Sequence, residues 1–223
     1  MPTTSQGARL LKGAIIALDL VTSQKRTIVF QYNPATVSRT LQPPVMEPSS
    51  GSQGSRTLSY RYKGAPVETL NVDVDINATD QLEKGDTNAQ QLGINPQLSV
   101  LETLLYPKSQ DVELNDSLLD QGQIEVASGY DAPFTLFVWG PQRVLPVILT
   151  SFSINEEIFD GQLNPIVASV KLGMRAVSYS DVVKDHKGYT LFMTYQKNKE
   201  RLAQLGLTPD AGRFLGFNLP IGI

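Results

Sequence analysis

Few side chains in this 223-residue chain are suited to acid–base or nucleophilic chemistry. The chain has one histidine, His186, and no cysteine, so Ser-His-Asp and Cys-His mechanisms depend on that single imidazole. His186 lies in a charged stretch directly before an expected helix, where we expect it to cap the helix. No Gly-x-Ser-x-Gly elbow is present in the sequence. The sequence therefore predicts a protein that is not an enzyme, with no catalytic residues.

The acidic residues also lack a pattern that would bind a metal or cleave a glycoside. Asp73 and Asp75 fall on one face of an alternating strand, about 7 Å apart along it, with no glycine or bidentate glutamate to complete a calcium loop. Glu156 and Glu157 are adjacent, so a strand places them on opposite faces. The Gly51-to-Gly54 stretch lacks the lysine of a phosphate-binding loop. We therefore predict no metal and no cofactor.

The clearest structural signal is a long antiparallel hairpin. Apolar and polar residues alternate without a break over 166–177, which is typical of a strand with one buried face. The stretch 143–158 is its expected partner, and the linker 159–165 has Asp-Gly and Asn-Pro turn chemistry. The apolar residues of 143–158 taken to share the buried face are Ile148, Phe152, Ile154 and Ile158. A hairpin longer than the core needs is often there to meet another subunit.

Further strands and two helices surround this hairpin. Two β-rich runs, 14–20 and 26–32, predict a shorter hairpin, and 68–78 alternates as a strand. Leucines at helical spacing over 97–106, after Asn95-Pro96, predict a short internal helix. Residues 189–205 predict a C-terminal helix that ends at Gly206. The polar stretch 108–130 is interpreted as a long connection.

Composition limits the classes of partner and compartment. A hydrophobic content of 41% supports a real core, while a net charge of −3 argues against a general nucleic-acid binder. The absence of cysteine fits a reducing compartment. The apolar run 13–21 is short and broken by Asp19, and no run approaches the roughly 20 residues of a membrane span. We expect a soluble protein without membrane insertion, assembled in the cytoplasm.

Two segments have a composition that does not form a core alone. Residues 42–55 are rich in Pro, Ser and Gly, and are either a disordered loop or a segment that orders on assembly. The tail 208–223 carries Phe214 and Phe217 and is too short for its own core. We predict that both segments are disordered in the free subunit and ordered by neighbouring proteins.

The order of several short motifs resembles the tube-type baseplate proteins of contractile injection systems, which are phage-tail-like particles. The resemblance covers roughly residues 13–205 in collinear order. The motifs are Phe30-Gln31-Tyr32-Asn33-Pro34 with Ser38-Arg39, the run from Val72 to Asp80, Gly93-Ile94-Asn95-Pro96, Phe137-Val138-Trp139-Gly140, Leu163-Asn164-Pro165-Ile166 and Asp185-His186-Lys187-Gly188-Tyr189.

The resemblance implies a mainly β (α+β) fold, a phage-tail-tube-like β-barrel with long hairpins, a short internal helix and a C-terminal helix plus tail. The expected division is a barrel domain over 1–178 and a helix with a docking tail over 179–223. Many members of this family append a LysM module. Residues 206–223 are too few for one, so we do not carry peptidoglycan binding over.

The implied function is structural: a homohexameric ring in the baseplate that connects the inner tube to the trimeric central spike. The implied partners are other copies of the chain, the inner tube protein, the spike and other baseplate proteins. Two alternatives remain, a polymerising inner-tube subunit and a cell-wall or carbohydrate-binding β-domain. The interface candidates are Phe30, Tyr32, Asn33, Arg39, Lys171, Arg175, Phe214 and Phe217.

Overall fold

The computed structural model describes residues 11–18, 25–44, 62–121 and 132–207. The strands are β1 (Ala14–Leu18), β2 (Lys25–Val29), β3 (Val37–Gln42), β4 (Val67–Asn77), β5 (Phe134–Val138), β6 (Val144–Phe159) and β7 (Pro165–Ala176). The helices are α1 (Thr79–Glu83), α2 (Thr87–Leu92), α3 (Asn95–Glu102), α4 (Ser109–Asp120) and α5 (Lys187–Leu205).

The strands form one antiparallel seven-stranded sheet in the order β2-β1-β5-β6-β7-β4-β3. The predicted mainly β fold with added helices is confirmed. Within the described residues the ladder does not close on itself, and β2 and β3 are its two ends. The barrel implied by the resemblance is therefore, in this part of the chain, an open sheet.

Alternation along β4 and β7 builds most of the core. Leu70, Val72 and Val74 of β4 are buried beside Met174, Leu172 and Val170 of β7, to which they are paired residue by residue. Side chains from β1, β5, α3 and α5 complete the same apolar cluster. The period-two pattern of the sequence thus correctly identified the buried face of both strands.

The helices differ more from the sequence predictions. The predicted C-terminal helix is confirmed as α5. The internal helix predicted over 97–106 is α3, which begins at Asn95 and ends at Glu102. The interpretation of 108–130 as a connection is wrong, because 109–120 form α4. The apolar residues of α4 do not share one face, so its sequence lacks the stripe that identifies a packed helix, and no residue of α4 is buried.

The long hairpin is confirmed, with one error in its phase. A β-bulge lies between Leu149 and Ser151, so the inward face changes by one residue there. Phe152 and Ile154 face the core side, as predicted, but Ile148 is paired with Arg175 on the other face and is 46% exposed. Ile158 has a φ of 53° and is also exposed. A strictly periodic pattern cannot anticipate an inserted residue.

The predictions of disorder concern residues that lie almost wholly outside the described ranges. Of the 42–55 segment only residues 42–44 are described, and the tail 208–223 is not. The proposed boundary at residue 178 stays a prediction. Phe192 and Tyr195 of α5 do pack into the common core cluster.

Candidate functional site

The outer edge of β6 is the main candidate for a contact with another protein. β7 pairs with β6 along nearly its whole length, but β5 pairs only with the residues from Val144 to Val147. From Ile148 to Phe159 the outer edge of β6 has no partner strand within the described residues. An edge without a partner strand presents N–H and C=O groups that can pair with another chain.

A cavity of about 320 Å³ lies on the core side of this open edge. It is lined by Phe152 and Ile154 of β6 and by Glu102, Leu105 and Tyr106 at the end of α3. Leu105 and Tyr106 are exposed. Within the described part of the chain nothing covers Leu105 and Tyr106, so a strand added to β6 would lie beside this apolar wall.

The tip of the hairpin presents apolar side chains on a strained turn. Ile158 and Leu163 are 67% and 80% exposed and both have positive φ, 53° and 64°. Positive φ is costly for a β-branched or bulky residue and clusters at functional sites. The tip therefore has the properties of a contact surface.

Asp160 holds the turn in this shape. Its Oδ1 accepts hydrogen bonds from the backbone N–H groups of Gln162 and Asn164, both at 2.8 Å, and its Oδ2 accepts one from Asn164 Nδ2 at 2.9 Å. These bonds, with the Asn164 side chain as the largest cause, lower the pKa of the Asp160 carboxyl. The carboxylate thus orders the loop from within.

The base of the tip is braced by the α2–α3 connection. Ile94 N donates to Pro165 O at 2.9 Å, and Asn164 Nδ2 donates to Gln91 O at 3.1 Å. Gly93 has a φ of 57°, and a Cβ there would overlap the Pro165 carbonyl oxygen. The Gly-Ile-Asn-Pro motif and the Leu-Asn-Pro-Ile motif therefore meet in space, although they are far apart in the sequence.

A buried carboxylate, that of Glu68 on β4, links α5 to the sheet. Glu68 is 2% exposed, and its Oε1 accepts from Arg39 Nε at 2.8 Å and from the Tyr195 hydroxyl at 3.1 Å. Its Oε2 accepts from Lys199 Nζ at 3.0 Å. Burial raises the pKa of Glu68. The hydrogen bonds and charges of Lys199 and Arg39 lower it by more than burial raises it, so the net shift of the pKa is downward. The sequence analysis missed Glu68, although it is in phase with the core residues of β4.

The aromatic interface candidates are placed differently from one another. Phe30 is 2% exposed and belongs to the core cluster, whereas Tyr32 is exposed. Asn33 binds the segment before β1: its Oδ1 accepts from Gly13 N and its Nδ2 donates to Leu11 O, both at 2.8 Å. Phe30 and Asn33 thus have roles within the chain, and Tyr32 is the member of this group free to contact a partner.

The charged candidates lie on and beside the sheet. Arg39 is held by Glu68, and Arg175 forms an ion pair with Asp181 at 2.8 Å. Lys171 is exposed on the face opposite the core, paired across the ladder with Asp73 and Ser153. Phe214 and Phe217 lie outside the described residues. All eight residues stay predictions as interface residues.

The residues first considered for chemistry are dispersed. His186 caps α5, as predicted, because its Nδ1 accepts from Gly188 N at 3.0 Å. Asp73 and Asp75 are exposed on the strand face opposite the core. In the described ranges no group of His, Cys, Asp and Glu side chains is arranged to hold a metal ion. No helix in those ranges is long and apolar enough to span a membrane.

Comparison with solved structures finds a distant similarity, whereas comparison with sequences finds none. No family model matches the sequence, and no curated protein matches it. Among solved structures, the chain is similar to a chain from the tail of an empty GTA particle computed with C6 symmetry. The sequence identity is 14%, the match covers 74% of this chain and 90% of that chain, and the TM-score is 0.31.

Proposed function

We propose that this chain is a structural baseplate component of a contractile injection system, which forms a ring between the inner tube and the central spike. The sequence motifs that resemble tube-type baseplate proteins motivate the proposal. The structural observation that carries it is the open outer edge of β6 from Ile148 to Phe159. An exposed edge of this length invites uncontrolled pairing unless a defined partner covers it.

A second copy of the chain is the partner that covers such an edge in a closed assembly. In such an assembly the open edge of β6 would meet a different surface of the next copy. A contact between unlike surfaces generates a ring when the rotation closes. Six copies are proposed from the resemblance, and the inner tube protein, the trimeric spike and other baseplate proteins are the proposed axial neighbours. Assembly takes place in the cytoplasm before the particle is used or released.

The inner-tube alternative differs in one property, because a tube subunit stacks on itself and an adaptor ring does not. The Pro-, Ser- and Gly-rich segment 42–55 and the region after Val177 are the features that would make one axial face unlike a tube face. The carbohydrate-binding alternative needs an exposed aromatic platform. The sole tryptophan, Trp139, is half-buried and stacked on Phe137 with 6.0 Å between ring centroids, which disfavours that role.

The test is electron microscopy and native mass measurement of the purified protein over a range of concentrations. Closed rings of constant mass are expected, and deletion of the gene should abolish assembled particles while tube and sheath proteins remain expressed. Growth of the pure protein into long tubes would contradict the adaptor function and support the inner-tube function. If the protein is a monomer at all concentrations and the deletion leaves the particles unaffected, both the adaptor function and the inner-tube function are excluded.

A further inference from the structure

The side chain of Gln31 bridges two parts of the sheet that are far apart in its strand order. Gln31 follows β2, which lies at one end of that order, and Asn77 is the last residue of β4, which lies next to the other end. Gln31 Nε2 donates to the Asn77 carbonyl at 2.8 Å, and Gln31 Oε1 accepts from the Asn77 N–H at 2.9 Å. Two residues of an antiparallel ladder exchange the same pair of bonds. One side-chain amide thus takes the place of a pairing residue at the end of β4.

Each end of this bridge is anchored in a different part of the fold. On the β2 side, Phe30 N donates to Gly13 O at 2.9 Å, which ties the residue before Gln31 to the segment that leads into β1. On the β4 side, Asn77 is paired with Val167 of β7 in the main ladder. The two hydrogen bonds of the Gln31 amide therefore join one firmly held part of the chain to another.

A second cavity, of about 320 Å³, lies beside the bridge, between β2 and the end of β4. Gln81 of α1 and Gln97 of α3 also line it, and Gln97 Nε2 donates to Gln81 Oε1 at 3.0 Å. Packed interiors contain few voids larger than a water molecule, and walls that face a void lose van der Waals contacts. The β2 side and the β4 side therefore hold each other weakly here. The apolar residues of the wall are Ile28, Phe30, Val74, Ile76, Val100 and Leu101.

We propose that Gln31 is a latch: its amide holds β2 against residues 74–77 of β4, and this seam opens while the rest of the core stays packed. Glutamine suits the role because its amide carries a donor and an acceptor side by side. Regions with few buried apolar contacts open at a lower free energy than the whole fold. Opening of the seam exposes the apolar wall of the cavity, including Val74. The inference does not depend on the proposed ring.

Two neighbouring core positions distinguish opening of the seam from unfolding of the whole chain. Val74 and Val170 are paired across β4 and β7 and are 3% and 0% exposed, but Val74 lines the cavity and Val170 does not. Because the chain has no cysteine, Val74→Cys and Val170→Cys each introduce a single thiol. The rate at which each thiol reacts with a water-soluble thiol reagent under native conditions measures how often that position becomes exposed.

We expect the thiol of Val74→Cys to react at least about tenfold faster than that of Val170→Cys, because a local opening exposes only the first. Gln31→Met keeps the length of the side chain and removes both hydrogen bonds. It should speed the reaction of Val74→Cys by about tenfold more, as expected for the loss of two such bonds, and leave the reaction of Val170→Cys within about twofold. Gln110→Met, at an exposed position of α4, is the matched control and should change neither rate.

Two results would overturn the latch. Equal reaction rates of the two thiols, with and without Gln31→Met, would show that the seam opens only when the whole chain unfolds. If Gln31→Met speeds the reaction of both thiols by the same factor, Gln31 stabilises the entire fold and does not control a local opening. Either result would leave the proposed ring standing, because the thiol reaction reports on motion within one chain.

Discussion

Glu68 on β4 and Lys199 on α5 form an ion pair at 3.0 Å, although 131 positions separate them in the sequence. The carboxylate is buried and receives a second cation, Arg39, and the Tyr195 hydroxyl. Lys199 also lies over the Tyr195 ring, 4.0 Å from its centroid. This cluster ties α5 to the strands β3 and β4.

Removal of one cation should therefore destabilise the fold. Arg39→Met leaves the buried Glu68 with a single charged partner, and we expect the free energy of unfolding to fall by about 1–3 kcal/mol. Lys171→Met, at an exposed position of β7, is the control and should change it by less than about 0.5 kcal/mol. Urea denaturation at pH 7 measures both, and equal effects of the two variants would contradict the assigned role of the cluster.

The same carboxylate predicts how stability depends on pH. The folded-state pKa of Glu68 is lowered from 4.5, so its stabilising contribution is complete above the unfolded value and is lost as the pH falls through the folded value. Between pH 7 and pH 3 the unmodified protein should thus lose more stability than Glu68→Gln. Denaturation curves at several pH values measure this loss of stability. An equal loss in the two proteins would show that Glu68 does not cause the pH dependence.

The core assignment of β7 is tested by two adjacent residues. Leu172→Asp places a charge without a partner among buried apolar side chains, so we expect a loss of several kcal/mol, about 3 or more, and poor solubility. Lys171→Asp changes the exposed neighbour and should leave the melting temperature within a few degrees, as expected for a change of about 0.5 kcal/mol or less. A folded Leu172→Asp protein with an unchanged melting temperature would refute the assignment.

Gly93 is predicted to be required where the α2–α3 connection meets the base of the hairpin tip. Gly93→Ala requires a positive φ and forces a Cβ against the Pro165 carbonyl oxygen, so we expect a loss of about 1–3 kcal/mol. At Gly161 a Cβ meets nothing within 4 Å, so Gly161→Ala should change the stability by less than about 0.5 kcal/mol. Thermal unfolding of the two variants gives the comparison.

Asp160 is predicted to order the tip without supporting the whole fold. Asp160→Ala removes the acceptor for the N–H groups of Gln162 and Asn164, so these amides should exchange hydrogen faster while the melting temperature stays nearly constant. Hydrogen-exchange mass spectrometry of the peptide that covers 158–165 measures the effect. Unchanged exchange there would show that the turn keeps its shape without the carboxylate.

Much of the local structure could be predicted because periodicity is a property of short stretches. The alternation along β4 and β7 identified their buried faces, and turn residues located the long hairpin formed by β6 and β7. The helix α5 and the capping role of His186 also followed from spacing and position. In α4 the apolar residues are not buried and form no single stripe, so the pattern gave no signal.

The features that define the candidate site depend on partners far apart in the sequence. Whether Glu68 is a solvated residue at a strand end or a buried ion-pair centre depends on Arg39 and Lys199, which local pattern does not bring to it. The bulge that turns Ile148 outward is an insertion in one strand relative to its neighbour. The open edge of β6 exists because β5 is short. The sequence alone determined which residues form strands, and the tertiary structure decided which strands pair and where pairing stops, since hydrogen bonding between strands joins segments that have no local relation.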